Sequence, residues 1–288
     1  MLRKLEEKEL DKYIDMMYEL ACDFTKSSYP TYNDGVETKE TFVLGSKKAF
    51  MQDDAEILLF CDEDKVLGWI HYYFIADDNY LATASMQASN KFDLMLAEFE
   101  QYVVDNYPSY DIWLGFSSQN IIAINYVEAQ GYKQHGHLQH TMLHLDDYEF
   151  IEENKHASTL TMDEYEAFGL LHDSVNSDEM YWNSERIKNN FDKWNILTYK
   201  KDAELLGAIY CVNKTISEIF GVDFTDDTYN DEVFEALLVG IANRCKENGT
   251  KYLCYFCENN QLDTVKKLGF SHIDEYKGYV KKGRNENV

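Results

Sequence analysis

His135, His137, His140 and His144 crowd one short stretch, and His135 with His137 would share a strand face, so a metal site is the first chemistry the sequence offers. No cysteine or carboxylate pattern accompanies them, and exposed strand histidines account for the run. Cys254-Tyr255-Phe256-Cys257 has the spacing of a redox or zinc pair. It lies on an apolar stretch that reads as a strand, where residues three apart face opposite ways, so the two read as buried thiols. The 22 tyrosines would stack on nucleic acid bases only beside a basic surface. The chain has none: 52 acidic residues against 27 basic ones give a net charge of -25. That field repels nucleic acid phosphates and anionic lipid head groups, and it would draw in a cationic small molecule or a peptide amine.

At 288 residues the chain is long enough for two cores. Apolar residues make up 45% and aromatics 15%, with only two prolines, which excludes a disordered chain. The start Met1-Leu2-Arg3-Lys4-Leu5-Glu6-Glu7-Lys8 has no apolar run behind it, so neither a signal peptide nor an anchor is expected. Six cysteines without a secretory signal read as reduced thiols, and a cytoplasmic location is the expectation.

The apolar pattern sets out the elements that would position any site. Leu10, Tyr13, Ile14, Met17, Leu20, Ala21 and Phe24 predict a helix over 7–24. Runs at 57–61 and 66–75 predict a hairpin about Asp62-Glu63-Asp64-Lys65, with a strand at 80–85, a helix at 91–106 and a strand at 112–116 behind it. Asn120 can cap a helix that Gly131 stops, and one or two strands follow over 132–145. The second half repeats the order. Thr161 and Glu164 are spaced as a capping box, strands are expected at 196–199, 205–212 and 216–224, and a central helix at 233–246. A strand at 252–257, a helix at 259–268 and a strand at 270–280 complete it.

Leu67-Gly68-Trp69-Ile70 matches Leu206-Gly207-Ala208-Ile209, and Gln130-Gly131-Tyr132 matches Leu268-Gly269-Phe270. Gly68 and Gly131 are 63 residues apart, Gly207 and Gly269 are 62 apart, and the same elements lie between, which indicates a duplication. The polar run near 146–156 suits the junction, giving domains at 1–148 and 155–288.

This order of elements resembles the GNAT acyltransferase superfamily, and the segment from Asn120 through Ala123 to Gly131-Tyr132 is similar to its Asn-x-x-Ala helix ending in Gly-aromatic. The resemblance implies an α+β fold: two tandem GNAT-like domains, each an α/β mixed, mostly antiparallel sheet flanked by helices. It further implies an N-acetyltransferase that moves an acetyl group from acetyl-CoA to a primary amine of a small molecule or peptide, with no metal. In that family two central strands part, and the pyrophosphate of the acyl-CoA rests on the amides at the start of the central helix. Gln87 and Asn90 fall on that loop, and Asn120 with Ala123 would contact the pantetheine arm. Both loop glycines of the family are missing, and in the second copy Glu232 brings a negative charge to the phosphate position. Val127 and Val265 stand where the family often has a tyrosine acid, which leaves the adjacent Tyr126 as the candidate. Glu218, with Asp223, lies on the strand where a base would sit. The lost glycines and the two valines support the alternative, an inactive GNAT-like protein that binds a ligand or a partner.

Overall fold

A computed structural model describes residues 1–176 and 180–284. In chain order the first repeat runs β1 (Leu2–Lys4), α1 (Leu10–Ala21), α2 (Lys39–Ala49), β2 (Ala55–Asp62), β3 (Lys65–Ile75), β4 (Tyr80–Ala88), α3 (Phe92–Asn106), β5 (Asp111–Ser117), α4 (Ile121–Ala129) and β6 (Lys133–His144). The second runs β7 (Ala157–Thr159), α5 (Tyr165–Val175), α6 (Ser184–Lys188), β8 (Trp194–Lys201), β9 (Glu204–Val212), β10 (Ile216–Phe224), α7 (Asp231–Glu247), β11 (Tyr252–Cys257), α8 (Leu262–Lys267) and β12 (Ser271–Lys281).

The chain folds as two compact units, Met1–Leu138 with Asp274–Val288, and Gln139–Ile273. They differ from the contiguous segments 1–148 and 155–288 expected from the sequence, because the last strands are exchanged. In the first unit β5 pairs antiparallel with β12, Tyr276 opposite Ser117 through Lys281 opposite Ile112. In the second, β11 pairs antiparallel with the end of β6, Tyr252 opposite His144 through Cys257 opposite Gln139. The strand order is β1-β2-β3-β4-β5-β12 in the first unit and β6-β11-β10-β9-β8-β7 in the second. Within each, one central pair is parallel, β4 with β5 and β10 with β11.

Each sheet is covered on both faces. In the first unit Leu10, Tyr13, Ile14 and Met17 of α1 and Phe42 of α2 pack on Ile57, Leu59 and Trp69, while Phe92, Met95 and Phe99 of α3 and Val127 of α4 pack on Ile70, Met86 and Phe116. The second unit repeats the scheme, with Val233, Phe234, Leu237 and Ile241 of α7 on one face and Phe168 of α5 with Ile187 of α6 on the other. Burying each such side chain contributes about 1.5–3 kcal/mol, so these faces outweigh any local propensity. The expected helix ends are in place: Asn120 accepts from the Ala123 amide at 3.2 Å and Gly131 follows with φ +75°, while Asn230 caps α7 and Gly249 ends it with φ +79°. Thr161 and Glu164 do meet, hydroxyl to carboxylate, but over a 3-10 turn, and α5 starts one turn later than a capping box at Thr161 would give. No described helix is long and apolar enough to cross a membrane.

Candidate functional site

The two units share one departure from a regular sheet. Strands β4 and β5 pair only from Tyr80 and Asp111 to Ala82 and Trp113, and beyond that point they part. Likewise β10 and β11 pair from Ile216 and Tyr252 to Ile219 and Tyr255 and then part. A bulge accompanies each opening: Ala84 on β4 and Phe220 on β10 have no partner on the neighbouring strand. Since Gly68 faces Ala88 and Gly207 faces Phe224, the repeats align residue by residue here, with Gln87 equivalent to Asp223 and His71 to Tyr210.

In the first unit the opening is filled by the chain itself. The segment after α1 enters it and bridges to both strands, Ser27 to Gln87 and Ser28 to Phe116. The Ala88 amide donates to the Lys26 carbonyl at 3.0 Å, the Ser28 amide to the Met86 carbonyl at 2.8 Å, and the Tyr29 amide to the Gly115 carbonyl at 2.8 Å. Asn120, fully buried, adds a fourth bond by donating from Nδ2 to the Ser27 carbonyl at 3.0 Å. Backbone groups that parting strands would leave unpaired are thus satisfied from within.

Of the residues marked out by the sequence, Asn120 and Ala123 do lie at this opening, but they face the inserted segment and the start of α4. Gln87 is fully buried beside Ser27, opposite Trp69, and among the described residues neither atom of its amide has a hydrogen-bond partner. Asn90 is exposed ahead of α3. Lys91, the residue just before that helix, has left-handed backbone at φ 54° and pairs with Asp62 at 2.5 Å, and Asp93 occupies the first turn. Tyr126 is half-buried and donates to Glu100 of α3 at 3.2 Å; burial and that carboxylate push its phenol well above the usual range.

In the second unit Glu218 lies on β10 just before the strands part. It is half-buried, and burial pushes its carboxyl up to about 7 against the pull of Lys214. Asp223, 4% exposed, binds His172 of α5, Nδ1 to Oδ2 at 2.7 Å, and Asn176 at 3.0 Å. The other ring nitrogen of His172 meets the Trp182 carbonyl at 2.8 Å. Asp223 and the Trp182 carbonyl are acceptors, an arrangement that favours the doubly protonated ring; burial would lower its pKa, but the bond and charge of Asp223 raise it overall. Through this ring the segment after α5 is held to β10. At the start of α7, Asp231 and Glu232 fill the first turn, Glu232 accepts from Tyr199 at 3.0 Å, and Asp226 and Asp227 precede it with left-handed backbone.

Two signals discounted in the sequence have ordinary structural roles. His135 packs edge-on against Trp113, His137 meets Glu275 at 3.4 Å, and His140 is buried and stacked on Phe256, which corrects the expectation that the run is uniformly exposed. Cys254 and Cys257 are both buried and are not joined in a disulfide. Among the described residues no group of three His, Cys, Asp or Glu side chains is placed to hold a metal ion.

A cavity of about 360 Å³ lies in the first unit between α2 and the β3–β4 hairpin, lined by Tyr32, Phe42 and Ser46 on one side and His71, Tyr73 and Thr83 on the other. It was not anticipated from the sequence, because its walls come from three elements of which α2 was itself unexpected.

No family model matches the sequence, and no curated protein matches it. Solved structures do. A GCN5-related N-acetyltransferase from Sphaerobacter thermophilus superposes with a TM-score of 0.65 over 100% of this chain and 97% of its own, at 12% identity. A tandem GNAT protein from the clavulanic acid biosynthesis pathway gives 0.57 over 100% and 99%, at 10% identity. The chain has the tandem GNAT fold. An acetyltransferase described as putative, from Pyrococcus horikoshii, has a TM-score of 0.55 over 100% of this chain and 91% of its own, at 11% identity.

On this GNAT fold the parting strands are where the resemblance places acyl-CoA, and the residues present do not fit it. The first opening holds Lys26–Tyr29. Beside the second opening, the helix start that would face a pyrophosphate carries Asp231 and Glu232. A helix N-terminus favours an anion by about 0.3–1 kcal/mol, and two carboxylates in its first turn already occupy that field.

Proposed function

We propose that this GNAT-fold protein binds a ligand without transferring an acetyl group, and that its N-terminal repeat has exchanged the acyl-CoA cleft for an internal strand-like segment. The observation that carries this reading is the set of hydrogen bonds tying Lys26, Ser27, Ser28 and Tyr29 to β4, β5 and Asn120. To enter, a pantetheine arm must break four bonds, each worth a net ~0.5–1.5 kcal/mol, so entry costs about 2–6 kcal/mol before any gain. That is a loss of roughly 30-fold to 10⁴-fold in affinity. The acidic first turn of α7 supports the same conclusion for the second repeat. Calorimetric titration of the full chain with acetyl-CoA should show no saturable heat at millimolar concentration; a dissociation constant in the micromolar range would overturn the reading.

One observation favours a second reading, acetyl transfer from acetyl-CoA to a primary amine at the C-terminal repeat. Glu218 is a half-buried carboxylate held near neutrality on the strand where a base would sit. On that reading a panel of primary amines would yield at least one acetylated product, and Glu218→Gln would abolish the product's formation while leaving the melting temperature within a few degrees.

A further inference from the structure

The cavity between α2 and the β3–β4 hairpin has the features of a built site. Its walls are aromatic, from Tyr32, Phe42, Tyr73 and the His71 ring, and hydroxyl groups of Ser46, Thr83 and Ser85 are set among them. Ser85 already accepts from the Trp69 indole at 3.1 Å and Ser46 donates to the Phe42 carbonyl at 2.8 Å, whereas the side chains of His71 and Thr83 have no hydrogen-bond partner among the described residues. Among the described residues no Lys, Arg, Asp or Glu side chain lines it.

The second unit shows what the same place looks like when it is packed shut. There the equivalents of His71, Ala84 and Ser85 are Tyr210, Phe220 and Gly221. Tyr210 is 1% exposed, and its hydroxyl sits where a Cβ on Gly221 would have to be. Phe220 packs edge-on against Trp194 with ring centroids 5.3 Å apart. One repeat fills this space with two large aromatic rings, and the other, with smaller side chains on the same bulge, leaves it open. An unfilled space of this size forfeits packing on all its walls, a cost that a bound ligand would offset.

From this geometry we infer that the cavity binds an uncharged aromatic molecule of one or two rings, carrying a hydrogen-bonding group that pairs with His71 and Thr83. The inference rests on the ligand-binding reading above and names its ligand class. A flat ring matches the aromatic walls, and a volume of about 360 Å³ lies within the ~300–1,000 Å³ of small-molecule sites. A charged ligand would lose its hydration with no counter-charge to meet it.

The test uses three probes of one shape and different charge: indole-3-acetamide, indole-3-acetate and tryptamine. Each is titrated into the full chain while the imidazole proton resonance of His71 is followed. Saturable movement with indole-3-acetamide is expected, at least 10-fold tighter than with either charged probe. Gly45→Leu should abolish it, since Gly45 lines the cavity and a Cβ there meets nothing within 4 Å. That substitution replaces a helical glycine, so the melting temperature should hold or rise. Thr83→Val keeps the volume and should weaken binding about 5-fold or more. No movement of His71 up to the solubility limit, equal affinity for a charged probe, or unchanged binding in Gly45→Leu would each overturn the inference. Acetyl-CoA run in parallel separates the two claims. If acetyl-CoA binds without competing with indole-3-acetamide, the ligand-only reading fails and the cavity stands; if neither binds, the cavity inference alone fails.

Discussion

His172 and Asp223 form a buried pair whose protonation is built into the second unit, at 0% and 4% exposure. The folded-state pKa of the histidine is raised, so its contribution is complete below about pH 6.5, the unfolded value, and is lost as pH rises through the higher folded value. The unfolding midpoint should therefore fall between mildly acidic and mildly alkaline pH, and His172→Gln should flatten that dependence; an unchanged slope would place the proton elsewhere. At the equivalent position of the first unit, Gln87 leaves a buried amide without a partner among the described residues. Such a group costs about 1–3 kcal/mol, so Gln87→Leu should raise the urea midpoint. A drop would mean that the amide has a partner in solution. The sequence marked Gln87 and Asp223 as residues of interest, but it could not show that they are the same position, since only the register of β3 with β4 and of β9 with β10 equates them.

At the scale of elements, the helices and strands with a clean apolar period were legible, α1, α3, α7 and the β2–β3 hairpin among them. Helix α2 was not, because Val43, Leu44 and Gly45 blur its face and Leu44 points outward at 66% exposure. Residues 26–29 carry no apolar period at all, and what places them is backbone pairing, which leaves no mark on side-chain composition. The decisive feature of the candidate site was therefore invisible in the sequence, although the residue that anchors it, Asn120, was not. Asn120→Ala removes both the cap on α4 and the bond to Ser27. A lost cap costs about 0.5–2 kcal/mol and a lost bond to a buried carbonyl about 1–3 kcal/mol, so a total of about 1.5–5 kcal/mol is expected in chemical denaturation. A loss below about 1 kcal/mol, less than the cap alone typically contributes, would mean that the segment is held without Asn120.

For the whole molecule, the duplication was readable from the glycine landmarks, whereas the exchange of last strands was not, because it depends on which of two similar strands reaches β5. A chain of residues 1–148 lacks β12, and with it the pairing of Tyr276–Lys281 to β5, the Tyr279 bond to Glu128 at 2.9 Å and the ion pair of Lys281 with Glu100. A chain of residues 149–288 lacks the β6 residues that pair with β11. Exposed strand edges of this kind associate non-specifically. Each half alone should be prone to aggregation, and co-expression should restore a soluble one-to-one complex. Two halves that are each monomeric and as stable as the full chain would contradict the exchange.

The most direct test of a self-filled cleft is hydrogen–deuterium exchange at the amides of Ser28, Tyr29 and Ala88, with and without millimolar acetyl-CoA. Strong protection that acetyl-CoA leaves unchanged is the predicted result. Fast exchange at these amides in the free protein, or protection that acetyl-CoA removes or shifts to other β4 amides, would show that the segment yields the cleft to the cofactor.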